Sequence, residues 1–110
     1  MSIDNLVDPA VVHMCSALGD ESRWSILAAL GEGDASASAL ARRLPITRQA
    51  IAKHIAVLHE VGLVETVQAG REVRYRVVGS GLSTVARRLD AIGVEWDRRL
   101  AAIKQIAENL

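Results

Sequence analysis

The sequence predicts a mainly α-helical fold carrying one small β-hairpin, and three observations lead there. Half of the 110 residues are hydrophobic, yet Phe is absent and Trp24, Trp96 and Tyr75 are the only aromatics. A core built from Leu, Ile, Val and Ala suits helices. Capping residues and glycines punctuate most of the chain at helical lengths, and only residues 63–77 switch to a β-favouring pattern. At this length the chain reads as one domain, 1–110, which leaves roughly a third of its unfolded-chain surface exposed after folding, so a partner subunit would help it.

Taken in order, Asp8-Pro9 is an N-cap followed by proline at the first helical position, opening a helix over 8–19 that Gly19 closes. Asp20 caps a second helix, Glu21 to Leu30, with Gly31 as its stop. Ala35-Ser-Ala is too short for more than a token strand. Ser38 can cap a third helix, Ala39 to Leu44, which Pro45-Ile46 breaks, and Thr47 caps a fourth that runs to Val61 before Gly62. Two helices joined by a short turn over 39–61 form the helix-turn-helix pattern. Leu63 to Gln68 and Glu72 to Val77 favour β structure around Ala69-Gly-Arg71, a hairpin over 63–77 that sets Arg74 and Arg76 opposite Tyr75. After Gly79-Ser-Gly81, a helix over 82–109 carries Leu82, Val85, Leu89, Ile92, Trp96, Leu100, Ile103, Ala107 and Leu110 at steps of three and four, a heptad-like seam. Gly93 beside the seam would admit another backbone or a slight bend.

The zero net charge conceals an arrangement. Residues 1–41 hold six acids against Arg23, a net of minus five, whereas residues 42–76 hold seven bases against Glu60, Glu65 and Glu72, a net of plus four. An anionic partner would be drawn to the middle third.

Within Thr47 to Val61, a wheel of 100° per residue groups Ile51, Ile55 and Leu58 on a core-facing side with His54 and Val61 on its flank. Thr47, Arg48, Gln49, Ala52 and Lys53 face outward near the helix N-terminus, with no bulky apolar group to obstruct close approach. Gln can pair bidentately with adenine and Arg with guanine, Thr and Lys can reach phosphates, and the helix dipole adds to the attraction.

Three stretches carry a family resemblance: Ala17-Leu-Gly-Asp-Glu-Ser-Arg-Trp-Ser-Ile-Leu27, Ser38-Ala-Leu-Ala-Arg-Arg-Leu44, and the run from Thr47 to Val64. In this order they resemble the ArsR (SmtB/ArsR) family of winged helix-turn-helix bacterial repressors, over roughly residues 10–104. Trp96 to Lys104 is similar to a branch with a longer terminal helix and without the usual metal-site residues. The resemblance implies a homodimer whose first and last helices pack across a two-fold axis, the helix from Thr47 as recognition helix and the Arg71 hairpin as wing. The partners are then double-stranded DNA and a second copy of the chain, with a small-molecule inducer of unknown identity as a further candidate and no cofactor. The expected DNA contacts are Thr47, Arg48, Gln49, Lys53, His54, Arg71 and Arg74, and the expected dimer interface is Leu89, Ile92, Trp96, Leu100 and Ile103.

The family's metal ligands do not carry over. Ala37 to Arg43 has no Cys-x-Cys pair, and no histidine follows His59. A metal or thiol sensor would have to use His13 and Cys15, whose two-residue spacing does not put them on one helical face. No nucleophile elbow or phosphate loop suggests an enzyme. The remaining competitor is a winged protein-interaction module that does not read DNA, which would have no need of Arg48, Lys53, Arg71, Arg74 and Arg76 on one surface. A lone Cys15, the absence of a signal-peptide pattern at the N-terminus and the absence of a long apolar run point to a cytoplasmic protein without a membrane span.

Overall fold

The computed structural model describes residues 8–110, so the reading of the N-terminus as lacking a targeting signal lies partly outside the described residues. The elements are α1 (Pro9–Leu18), α2 (Glu21–Glu32), α3 (Ala37–Arg43), α4 (Arg48–Glu60), β1 (Val64–Ala69), β2 (Glu72–Val77) and α5 (Gly79–Glu108). The mainly α fold with its hairpin and long terminal helix is as the sequence predicts, and three boundaries differ for physical reasons.

α2 runs through Gly31 to Glu32 and ends at Gly33, whose N–H donates to the Leu30 carbonyl. A glycine inside a helix costs about 1 kcal/mol, which is a weak stop beside the burial of Ile26, Leu27, Ala29 and Leu30 on the same helix. Ser36, not Ser38, caps α3, its hydroxyl accepting from the Ala39 N–H at 3.1 Å. The selection is made by tertiary contact: the token strand at Ala35 exchanges two backbone hydrogen bonds with Tyr75, so the chain is still extended at Ser36 and turns helical there. α5 starts at Gly79 instead of Leu82. Its early turn lies so close to the α4–β1 corner that a Cβ on Gly81 would come 2.7 Å from the Gly62 carbonyl oxygen. Glycine is what permits that approach.

The caps at Asp8, Asp20 and Thr47 form as read, each side chain accepting a backbone N–H of the first turn. β1 and β2 pair antiparallel from Val64↔Val77 to Ala69↔Glu72. Gly70 has φ +66 while Arg71 has no positive φ, which fits glycine at the first central position of a two-residue hairpin turn.

The core lies where α2, α3, α4 and the start of β1 meet, with Ile26, Leu40, Ile51, Leu58, Leu63 and Val64 fully buried. α5 contributes only Gly81 and Val85 to buried positions, then leaves the domain. Its 30 residues span about 45 Å at 1.5 Å each, which accounts for the elongated 68 × 27 × 20 Å outline. The seam residues Leu89, Ile92, Trp96, Leu100 and Ile103 are 46–59% exposed within this chain, and nothing lies within 4 Å of a Cβ built on Gly93. No helix among the described residues is long and apolar enough to cross a membrane.

Candidate nucleic-acid interface

The geometry of the site begins with Leu40 of α3 and Ile51, Ile55 and Leu58 of α4, which are buried against each other and α2. Burying that stripe fixes the rotation of α4 about its axis, so that Arg48, Gln49, Ala52 and Lys53 are exposed. Thr47 Oγ1 accepts the Ala50 N–H at 3.1 Å, which satisfies one first-turn donor and leaves others, with the positive end of the dipole, facing outward.

The hairpin tip folds back toward this helix end. An open groove of about 430 Å³ between α3, α4 and the hairpin brings together Arg42, Arg48 and Arg71, with Ser38 and Glu72 on its walls. Sequence reading placed Arg48 and Arg71 here and missed Arg42. The available signal was its position in the last turn of the first helix of the helix-turn-helix, the element that crosses the duplex backbone in this motif.

Not every base of the middle third is available to a ligand. Arg43 is bound to Glu32, Arg74 lies 3.2 Å from Glu72, and Arg76 lies 2.7 Å from Asp34. The Arg76 guanidinium, through this hydrogen bond, holds the Asp34 carboxyl below its ordinary range, and Asp34 in turn raises Arg76. Among the described residues Arg42, Arg48, Lys53 and Arg71 have no ion pair. These four, together with Thr47 and Gln49, are exposed. Arg74 shares its charge with Glu72, and Arg76 is taken out of the surface that the sequence suggested.

His54 stands apart from the exposed set. It is half-buried on the flank of α4, with Nδ1 3.5 Å from Arg23 Nη1. Arg23 Nε donates to the Ala17 carbonyl at 2.6 Å, and Asp20 sits 3.8 Å from the same guanidinium. Asp20 is held below the usual carboxylate range, first by the Arg23 backbone N–H at its cap position. The cluster joins the end of α1, the start of α2 and the middle of α4, and therefore braces the helix that presents Arg48 to Lys53. Among the described residues no three His, Cys, Asp or Glu side chains are grouped as metal ligands, and His13 and Cys15 are both exposed.

Two helices joined by a tight turn, with a hairpin at the side of the second, define a winged helix-turn-helix protein. Residues 18–67 match the family model described as a helix-turn-helix domain. The chain is 32% identical over 93 residues, 84% of each chain, to the HTH-type transcriptional regulator Rv2034 of Mycobacterium tuberculosis. It is similar to the solved structure of an ArsR-like transcriptional regulator from Rhodococcus sp. RHA1, at 59% identity and TM-score 0.79 over 89% of this chain and 92% of that one. A homodimeric winged helix-turn-helix DNA-binding domain from Mycobacterium bovis, studied in solution, matches at 27% identity and TM-score 0.62, covering 83% and 82%. The chain belongs to the ArsR family of transcriptional regulators, which act by binding DNA rather than by catalysis.

Proposed function

We propose that the chain is a repressor that binds an inverted-repeat operator as a symmetric homodimer, two α4 helices entering successive major grooves about 34 Å apart. Bound near a promoter, the dimer blocks transcription. The observation that carries the reading is the groove at the N-terminal end of α4 that gathers Arg42, Arg48 and Arg71, with exposed Lys53 further along the same helix and, among the described residues, no ion pair to any of the four. Arg48 and Gln49 read base edges, Thr47 and Lys53 hold backbone phosphates, and Arg71, with Arg74 as a weaker contributor, meets the phosphates or minor groove beside the site. Arg42 joins the phosphate contacts. His54 acts through Arg23 and not by touching DNA. The half-exposed seam of α5 supplies the apolar surface that a second copy would cover.

Genomic DNA captured on the purified protein, sequenced and read for an inverted repeat, identifies the operator. Titration of that duplex across a salt series then tests the assignment of Lys53: Lys53→Ala should weaken binding to all duplexes alike and flatten the log-affinity against log-salt plot by about one unit of slope. An unchanged slope removes Lys53 from the phosphate contacts. Failure to retain any specific duplex at moderate salt overturns the repressor reading in favour of a protein-interaction module.

A further inference from the structure

The apolar seam of α5 is symmetric about Trp96. Ile92 and Leu100 lie equally far from it along the chain, as do Leu89 and Ile103, Val85 and Ala107, and Leu82 and Leu110. A two-fold axis passing beside Trp96 therefore sets the exposed Leu89 and Ile92 of one antiparallel copy against Ile103 and Leu100 of the other. A parallel pair does not work in the same way. Val85 is buried in its own domain and Leu82 packs against the core, so parallel helices would press two whole domains together at one end.

Antiparallel pairing also matches charge. It brings Glu95 beside the partner's Arg99 on one flank, and Asp90 beside the partner's Lys104 on the other, whereas a parallel coil would set Arg99 near the partner's Lys104. From Trp96 to the end of the helix at Glu108 is about 18 Å, close to the roughly 21 Å from Trp96 back to Leu82, and Leu110 follows just beyond. The tail of each copy thus ends over the first turn of the other copy's α5.

At that place the domain has an apolar groove of about 310 Å³, lined by Leu18, Trp24, Leu27, Ala28 and Leu82. Trp24 is 61% exposed there, and Ile106 in the last turn of α5 and Leu110 just beyond it are 65% and 102% exposed. We propose that this groove holds the C-terminal turns of the partner's α5, with the partner's Ile106 and Leu110 covering Trp24. The docking rests on the dimer reading above and adds to it a register and a second contact, from tail to domain. It ties the end of each α5 to α2, the helix that carries Arg23 and so braces α4.

The test uses the full chain with Trp96→Phe, which leaves Trp24 as the only tryptophan. At concentrations where ultracentrifugation shows a dimer, iodide should quench Trp24 several-fold less than in the same protein carrying Ile106→Asp and Leu110→Asp. Equal quenching in the two dimeric proteins overturns the docking and leaves the dimer standing. A wild-type chain that sediments as a monomer overturns the dimer reading itself, and the docking with it.

Cross-linking tests the register with Trp96 intact. In a Cys15→Ser background, a mixture of Ala28→Cys protein and Leu110→Cys protein should be joined between copies by a short bismaleimide. Leu110→Cys protein alone should not link. Linkage between two Leu110→Cys copies, or none in the mixture, overturns the antiparallel placement.

Discussion

The apolar stripes of α4 and α5 use the same residue types and meet opposite environments. Ile51, Ile55 and Leu58 of α4 are 0–3% exposed within a single chain, whereas Leu89, Ile92, Trp96, Leu100 and Ile103 of α5 are about half exposed. The first stripe is short, on a helix that packs against α1, α2, α3 and β1, so intrachain packing completes it. The second extends past the domain that would have to cover it. Amphipathic periodicity therefore identifies which face of a helix must be buried, while helix length against domain size decides whether the same chain can do it.

The largest expected effect breaks the intrachain side of this contrast. Leu58→Ala removes a fully buried side chain and should destabilise the protein by about 2–5 kcal/mol, read from the urea midpoint. The loss should be the same at low and high protein concentration, because the cavity forms inside one protomer. A loss that vanished at high concentration would mean that the α4 stripe also belongs to an interface.

Trp96→Ala tests the other stripe. Truncating a large aromatic at the centre of an interface costs about 2 kcal/mol or more, so the dimer dissociation constant should rise at least about tenfold in ultracentrifugation. The helical signal of a dilute sample should barely change, since Trp96 is 55% exposed within its own chain. An unaltered dimer would remove Trp96 from the seam.

These two substitutions also mark what was legible in the sequence. The faces of both helices could be read from spacing alone, and so could the caps at Asp8, Asp20 and Thr47, because each decision is local. The start of α3 was not legible: Ser36 and Ser38 are equally good caps, and the pairing of Ala35 with Tyr75, far along the chain, chooses between them. Nor was the usable charge. The middle third is basic in sequence, yet Arg43 and Arg76 are matched by Glu32 and Asp34 from the acidic first third, and only folding brings those partners together. The surroundings of His54 were hidden for a related reason, since its neighbour Arg23 lies on another helix. The seam on α5 was legible as a spacing, but its symmetry about Trp96 has meaning only once the tail is seen to leave the domain.

A smaller effect separates the two regions by function. Gln49→Ala on the exposed face of α4 should cost about 1–3 kcal/mol of affinity for the operator and leave binding to unrelated duplexes unchanged. Neither the urea midpoint nor the dimer constant should move, because Gln49 is exposed and off the core-facing stripe. Equal loss on specific and unrelated DNA would reassign Gln49 from base edge to phosphate.

The smallest expected effect concerns the pair that ties the base of the hairpin to the segment after α2. Asp34 is held below the ordinary carboxylate range first by its hydrogen bond from Arg76, so in the folded state it stays ionised at pH values where the unfolded chain begins to protonate. Its contribution is therefore present above the unfolded value of about 3.9 and is lost as the pH falls through the lower folded value. Asp34→Asn removes the carboxylate at every pH. The variant should be slightly less stable than wild type at pH 7, and the gap should narrow as the pH falls through the lowered folded value. Both members of the pair are solvent-accessible, so the gap at pH 7 should be small. Urea midpoints across an acid series decide the matter: a gap that stays constant down the whole series would trace the effect to lost packing and not to the charge. The same comparison on Leu58→Ala should show a gap independent of this titration, since the cavity left in the core carries no proton.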